Sequence, residues 1–319
     1  MMSVFYRSRF GFLPHIMLIL IILAYALASS IGSAYAADRG RVIIRNGTVY
    51  TNTGTMIRGS SAVVLYGIGN SNNPTYWDFL NKTLRLNAVR YDVKTGQIGR
   101  SVQQQIPYMD YAVNQASSHN MYLMITNSIQ PGGYDLDQLK AFWSVVAPRY
   151  ANRTHVFYEM TNEPVKGSPA WGSAPQFTTK VLSDLKSVYD IMRQGAPDTH
   201  IVMLSTTSLY PDCATYAAMI ANLQGIDWKK TSIGFHHYQG TNRFGEANIR
   251  CLRDKYPLLM TETNYWISSD ISNLRYALNL YEKLQMSWFS LDGRSGTTHL
   301  QYEILPQLAQ DGYYWSAAN

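Results

Sequence analysis

The chain has 319 residues, 46% of them hydrophobic and 15% charged, with 27 Lys+Arg against 21 Asp+Glu for a formal net charge of +6. That apolar share excludes a disordered chain, and 22 Gly with 12 Pro are too few for a fibrous one. The basic excess is spread along the sequence with no Lys/Arg-rich tract, which excludes a nucleic-acid binder.

In chain order, residues 1–36 read as a secretory signal. Arg7 and Arg9 precede an apolar run over 16–28, and small residues end in Ala34-Tyr35-Ala36. The run falls short of the roughly 20 residues a membrane span needs. The expectation is cleavage after Ala36, a secreted or periplasmic protein with no stable membrane association, and one domain over 37–319. Within Arg41 to Tyr50, apolar and polar residues alternate around Asn46-Gly47, a strong hairpin signal, which predicts a small lid on one end of the domain. Short apolar runs follow at 62–68, 88–93, 121–126, 156–161, 201–205, 232–236, 258–261 and 287–291. Segments of helical period lie between them, including 102–117, 136–147, 176–193 and 271–283. Strand then helix, eight times, predicts an α/β fold, a (β/α)8 TIM barrel with a small N-terminal β-hairpin. An open dinucleotide-binding sheet would need a glycine-rich loop after its first strand, and Gly67-x-Gly69 lacks the third glycine. Cys213 and Cys251 sit at the start of one predicted helix and well inside the next. This separation argues for Cα atoms beyond the ~7 Å limit of a bridge and leaves the pairing open. The chain has no CxxC or HExxH spacing, so no metal or cofactor is expected.

Barrels of this kind carry their reacting groups where strands end at the top face. The fourth run ends Phe157-Tyr-Glu-Met-Thr-Asn162-Glu163-Pro164 and the seventh Leu259-Met-Thr261-Glu262-Thr263-Asn264. Two carboxylates so placed are what glycoside hydrolysis requires, one to protonate the leaving oxygen and one to support the anomeric carbon. The aromatic content points the same way. Tyr (24) and Trp (7) outnumber Phe (10), favouring rings with a polar edge that suit sugar surfaces. Trp77, Tyr134, Trp171, Tyr210, Tyr265 and Trp266 are candidate platforms.

These motifs, with Asn87-Ala-Val-Arg90, His236-His-Tyr238 and Ser287-Trp288 in order, resemble glycoside hydrolase family 5, the cellulase-type retaining hydrolases. The resemblance covers nearly all of 41–319. It implies Glu163 as acid/base and Glu262 as nucleophile. Arg90 would keep Glu262 ionised, and Asn162 would donate to the sugar 2-hydroxyl. Tyr238 would donate to Glu262, His236 would bind substrate or steer the acid, and Trp288 would offer its face to the sugar ring. Family members usually carry a histidine where Asn127 falls, so Asn127 is expected to bind a hydroxyl with altered geometry. The implied activity is endo-hydrolysis of β-1,4-linked glucan by a monomer without cofactor, with polysaccharide as the partner. A β-mannanase or other β-glycanase, or a carbohydrate-binding barrel without turnover, is the alternative.

Overall fold

Eight parallel strands close into a ring in the computed structural model. It describes residues 39–61, 74–94, 101–128, 133–165, 177–205, 213–237, 245–263 and 271–290, with Pro306 and Gln310. Two short strands precede the ring, β1 (Ile43–Arg45) and β2 (Thr48–Tyr50). The ring consists of β3 (Arg58–Ser60), β4 (Ala88–Val93), β5 (Tyr122–Asn127), β6 (Val156–Glu159), β7 (Ile201–Met203), β8 (Thr231–His237), β9 (Leu258–Thr263) and β10 (Trp288–Ser290). Each pairs with the next, and β10 pairs with β3. Outside run α1 (Pro74–Asp78), extended by a π-helical turn, and α2 (Val102–Ser118), α3 (Leu136–Tyr150), α4 (Thr179–Gly195), α5 (Cys213–Ile220), α6 (Glu246–Arg253) and α7 (Ile271–Lys283). Local sequence starts the longer helices. Ser101 and Gln104 form a capping box at α2, while Asp135 and Thr178 cap α3 and α4.

Strand alternation divides the core in two. Ala88, Tyr122, Met124, Phe157, Val202, Leu259 and Phe289 pack inside the ring. Val89, Leu123, Ile125, Tyr158, Phe235, Met260 and Trp288 face the helices. The Asn46-Gly47 turn takes the left-handed conformation at both residues, φ 50° and 67°. Its hairpin docks on the start of β9, where Leu258 N donates to Gly47 O (2.9 Å) and Thr48 Oγ1 donates to Leu258 O (2.6 Å). The hairpin therefore closes the N-terminal end of the ring and leaves the C-terminal ends of the strands to the site.

Two expectations need correction. The ring's first strand is β3, upstream of the 62–68 run expected to supply it, and that run lies outside the described residues. Arg58-Gly59-Ser60 has no apolar signature because its burial is made possible by partners. Arg58 forms a fork with Glu282 of α7, with Nε to Oε1 and Nη2 to Oε2 both 2.7 Å. Gly59 leaves room for Phe289, whose ring atoms would lie 2.3 Å from a Cβ at that position. The second correction concerns the cysteines. Cys213 and Cys251 are joined, with Cα atoms 6.0 Å apart. Helices α5 and α6 lie side by side, and α6 is offset along its axis so that its second turn meets the first residue of α5.

Candidate active site

Above the apolar floor the inward positions turn polar. Arg90, next in alternation after Ala88 on β4, is 1% exposed and uses three of its nitrogens. Nε donates to Glu159 Oε2 (2.6 Å), Nη1 to Glu262 Oε2 (2.8 Å) and Nη2 to Asn162 Oδ1 (2.7 Å). Burial alone would weaken the guanidinium's hold on its proton, but the Glu159 and Glu262 charges raise its pKa and keep it cationic. The partner of an arginine is an acceptor, so the atom of Asn162 facing Arg90 is the oxygen, and Nδ2 is the side left to donate.

Glu262 reaches this cluster through an irregularity in β9. Phe235 of β8 pairs with Met260, yet His236 pairs with Glu262, so Thr261 is an extra residue in the ladder. Simple alternation from inward Leu259 would turn Glu262 toward the helices, and the bulge returns it to the interior. Glu163 arrives by a strained backbone. It lies at φ 44°, in the left-handed region, although the following Pro164 favours extended backbone in the residue before it. Neighbouring strands hold the turn. Met160 N donates to Val202 O, Asn162 N donates to Asn127 O (both 2.9 Å), and Thr161 Oγ1 also donates to Asn127 O (3.1 Å).

His236 links the two acids. Its Nδ1 lies 2.8 Å from Glu163 Oε1 and 3.8 Å from Glu262 Oε1. Burial opposes a charged imidazole, but the Glu262 charge with the bond and charge of Glu163 outweighs it, so the His236 pKa is raised. One oxygen from each of Glu163 and Glu262 and one nitrogen of His236 lie within 4.8 Å of one another. Two carboxylates and an imidazole are also donors a divalent cation accepts. Here the Arg90 guanidinium sits on Glu262 and the carboxylates strengthen the imidazole's hold on its proton, a setting that suits protons.

The remaining charges set the tone of the pocket. Burial pushes the Glu262 carboxyl up; the His236 and Arg90 charges pull it down, Glu163 and Asp92 push it up again, and it rests above its ordinary value. Arg90 was expected to hold Glu262 ionised by lowering its pKa; its charge does pull the carboxyl down, but burial outweighs it. Glu159 behaves oppositely. Burial would raise it, but the charges of Arg90 and His236 prevail and its pKa is lowered. Asp92, inward like Arg90, is pushed up by burial against the Arg90 charge.

Arg90, Asn162, Glu163, His236 and Glu262 thus come together. Trp288 does not join them. It packs with the outer core, and its indole Nε1 donates to Glu282 Oε1 (2.8 Å), so its ring is spent on the helix layer. Asn127 lies on the Leu123 and Ile125 side of β5, the side facing the helices, and meets the site through its main-chain carbonyl. Trp77 is fully buried in the core, and Tyr134 donates to Asp184 (2.6 Å). Tyr238, Trp171, Tyr210, Tyr265 and Trp266 lie outside the described residues. Glu159 is the group that sequence reasoning passed over. Its signal was its phase, since it shares the inward face with Phe157, and a carboxylate there requires a buried cation.

A family model described as cellulase (glycosyl hydrolase family 5) matches residues 50–283. Endoglucanase E-5 of Thermobifida fusca is 24% identical over 226 residues, which are 66% of this chain and 45% of that protein. Endoglucanase MaCel5A of Microbulbifer sp. (strain ALW1) is 23% identical over 270 residues, 77% of this chain and 50% of that protein. The chain therefore spans about half the length of the curated relatives it matches. Among solved structures, the catalytic domain of T. fusca endoglucanase Cel5A superposes with a TM-score of 0.65 at 20% identity, covering 79% of this chain and 84% of that one. A variant of the same domain in complex with cellotetraose gives 0.64 at 20% identity over the same shares. At this identity the likeness is one of fold.

Proposed function

Because the chain belongs to glycosyl hydrolase family 5, the cellulase family, we propose that it is a retaining endo-glycosidase that hydrolyses β-1,4-linked glucan. The observation that carries the reading is the convergence of Glu163 and Glu262 from the ends of β6 and β9, with approaching oxygens within 4.8 Å. A retaining pair sits roughly 5–5.5 Å apart, whereas an inverting pair must admit a water and spreads to roughly 6.5–9.5 Å. The short gap supports direct attack by one carboxylate.

In this reading Glu163 gives its proton to the leaving glycosidic oxygen as Glu262 attacks the anomeric carbon. Glu163 then takes a proton from the water that releases the sugar. His236, bonded through Nδ1 to Glu163, orients the acid for both steps. Asn162, with its oxygen held by Arg90, presents Nδ2 to the 2-hydroxyl. The cellotetraose bound by the T. fusca variant supports a β-glucan chain as substrate. Export after removal of residues 1–36 belongs to the same proposal and rests on the pattern of the N-terminal sequence.

Azide separates the two carboxylates. With an activated aryl β-cellobioside, Glu262→Ala should regain turnover in azide and yield the α-glycosyl azide. Glu163→Ala should yield the β-glycosyl azide from the trapped glycosyl enzyme. The same azide anomer from both variants would overturn the assignment. Product analysis on β-glucan and β-mannan decides the sugar, and a preference for mannan would replace the substrate half of the proposal.

A further inference from the structure

Among the described residues, two buried arginines meet glutamates in different ways. Arg58 grips Glu282 as a fork, with Nε and Nη2 on the two oxygens of one carboxylate, each 2.7 Å away. This is the arrangement a guanidinium and a carboxylate adopt when nothing intervenes, and it engages both carboxylate oxygens. Arg90 is denied it. Its Nε is taken by Glu159 and its Nη2 by Asn162, so Glu262 receives a bond from Nη1 alone, at Oε2. The other oxygen, Oε1, receives no bond from the guanidinium and faces His236 Nδ1 at 3.8 Å.

A nucleophilic carboxylate gains from an attacking oxygen that no guanidinium grips. Each hydrogen bond on the attacking atom must be broken or weakened as its lone pair forms the new C–O bond, and a second charge-assisted bond would add to the barrier. We infer that Glu159 is a positioning residue: by occupying Arg90 Nε it holds the guanidinium to a single bond on Glu262 and leaves Glu262 Oε1 available for attack. The inference rests on the reading of Glu262 as nucleophile. Glu159 can perform this part because it is wholly buried and the Arg90 and His236 charges keep it anionic.

Two substitutions divide geometry from charge. In Glu159→Gln the side-chain carbonyl still accepts from Arg90 Nε, so the guanidinium keeps its place while the negative charge is lost. In Glu159→Ala the Nε side is released and Arg90 can close on both oxygens of Glu262, as Arg58 does on Glu282. The competent sites are first counted by the burst released on inactivation with a 2-deoxy-2-fluoro aryl cellobioside, which removes any effect of misfolding. Turnover per site of an aryl β-cellobioside should then fall at least about a hundredfold in Glu159→Ala with KM little changed, and remain within about tenfold of the parent in Glu159→Gln.

Both variants should also move the acid limb of kcat/KM to lower pH, because the Glu159 charge on Arg90 Nε is gone. The described charged groups around Glu262 are Arg90 and Asp92 on β4, Glu163 after β6 and His236 on β8. None of these is altered. Should Glu159→Ala fail to fold, the acid limb and turnover of Glu159→Gln carry the test. Parental turnover in Glu159→Ala, equal losses in the two variants, or an acid limb that stays in place overturns the inference. Failure of azide rescue in Glu262→Ala overturns the underlying nucleophile reading instead, so the two failures are distinct.

Discussion

Removing the bond between Cys213 and Cys251 gives a loss whose size follows from its position. The two residues are 38 apart in sequence, and the loop they close contains all of β8, the strand that carries His236. Cross-linking a loop of that length removes about 13 cal/mol/K of chain entropy from the unfolded state, or about 4 kcal/mol at 25 °C. At roughly 2–4 °C of melting temperature per kcal/mol for a domain of this class, the Cys213→Ser/Cys251→Ser double variant should melt about 8–16 °C below the parent. The parent measured with a phosphine reductant should approach the variant. The double substitution avoids leaving a lone thiol, and both serines fit the volume of the residues they replace. Mass spectrometry after alkylation of the denatured protein supplies the control, since neither cysteine should be labelled until reductant is added. Labelling of both without reductant, or a variant melting within about 2 °C of the parent, would refute the reasoning.

Gly59→Ala brings a Cβ to 2.3 Å from two ring atoms of Phe289 and 3.1 Å from Ala88 O inside the ring. It should cost about 1–3 kcal/mol by urea denaturation, and an unchanged midpoint would contradict the packing described. His200 is buried against Ser232 (2.9 Å), and burial drives its imidazole down to about 3 from 6.5; burial likewise takes His237 to about 4. From pH 6.5 down to 3 the unfolded chain binds protons that the folded one refuses, so stability should fall across that window. His200→Gln should flatten the slope between pH 7 and 4.5, and a parental slope would count against a neutral buried imidazole. Trp288→Phe should lower stability by about 1–2 kcal/mol through the lost bond to Glu282, with KM for cello-oligosaccharides unchanged. A tenfold rise in KM would put the ring in the cleft after all.

The repeat of strand and helix was legible because seven of the ring strands are apolar on at least one face and end where the period changes. Strand β3 was not, because its charge is cancelled by a residue more than two hundred positions later, Glu282, and its glycine is shaped by Phe289. The phase of each strand was the deeper difficulty. Alternation tells which residues share a face and says nothing of which face is inside, and Trp288 and Phe289 illustrate the ambiguity. Both are large and apolar, and either ring would fit a barrel core. The choice is made across the ladder, where Phe289 pairs with Gly59 and its ring takes the space the missing side chain leaves, sending Trp288 outward to Glu282.

At the site the same ambiguity can be resolved from charge. Arg90 and Glu159 sit on strands separated only by β5, and each is a poor tenant of a helix-facing core unless paired. Taking both as inward satisfies both at once, fixes the phase of β4 and β6, and places Asn162 and Glu163 at the top of the ring. Glu262 resists this logic. Its inward turn comes from one extra residue at Thr261, and the sequence of β9 carries no glycine or proline to announce a bulge. A chemical requirement could have supplied what the pattern lacked. Glycoside hydrolysis requires two carboxylates, so with Glu163 at the end of β6 a second has to turn inward from another strand end, where Glu262 shares the Arg90 guanidinium with Glu159. The bulge is where the demands of the reaction override the pleat of the strand.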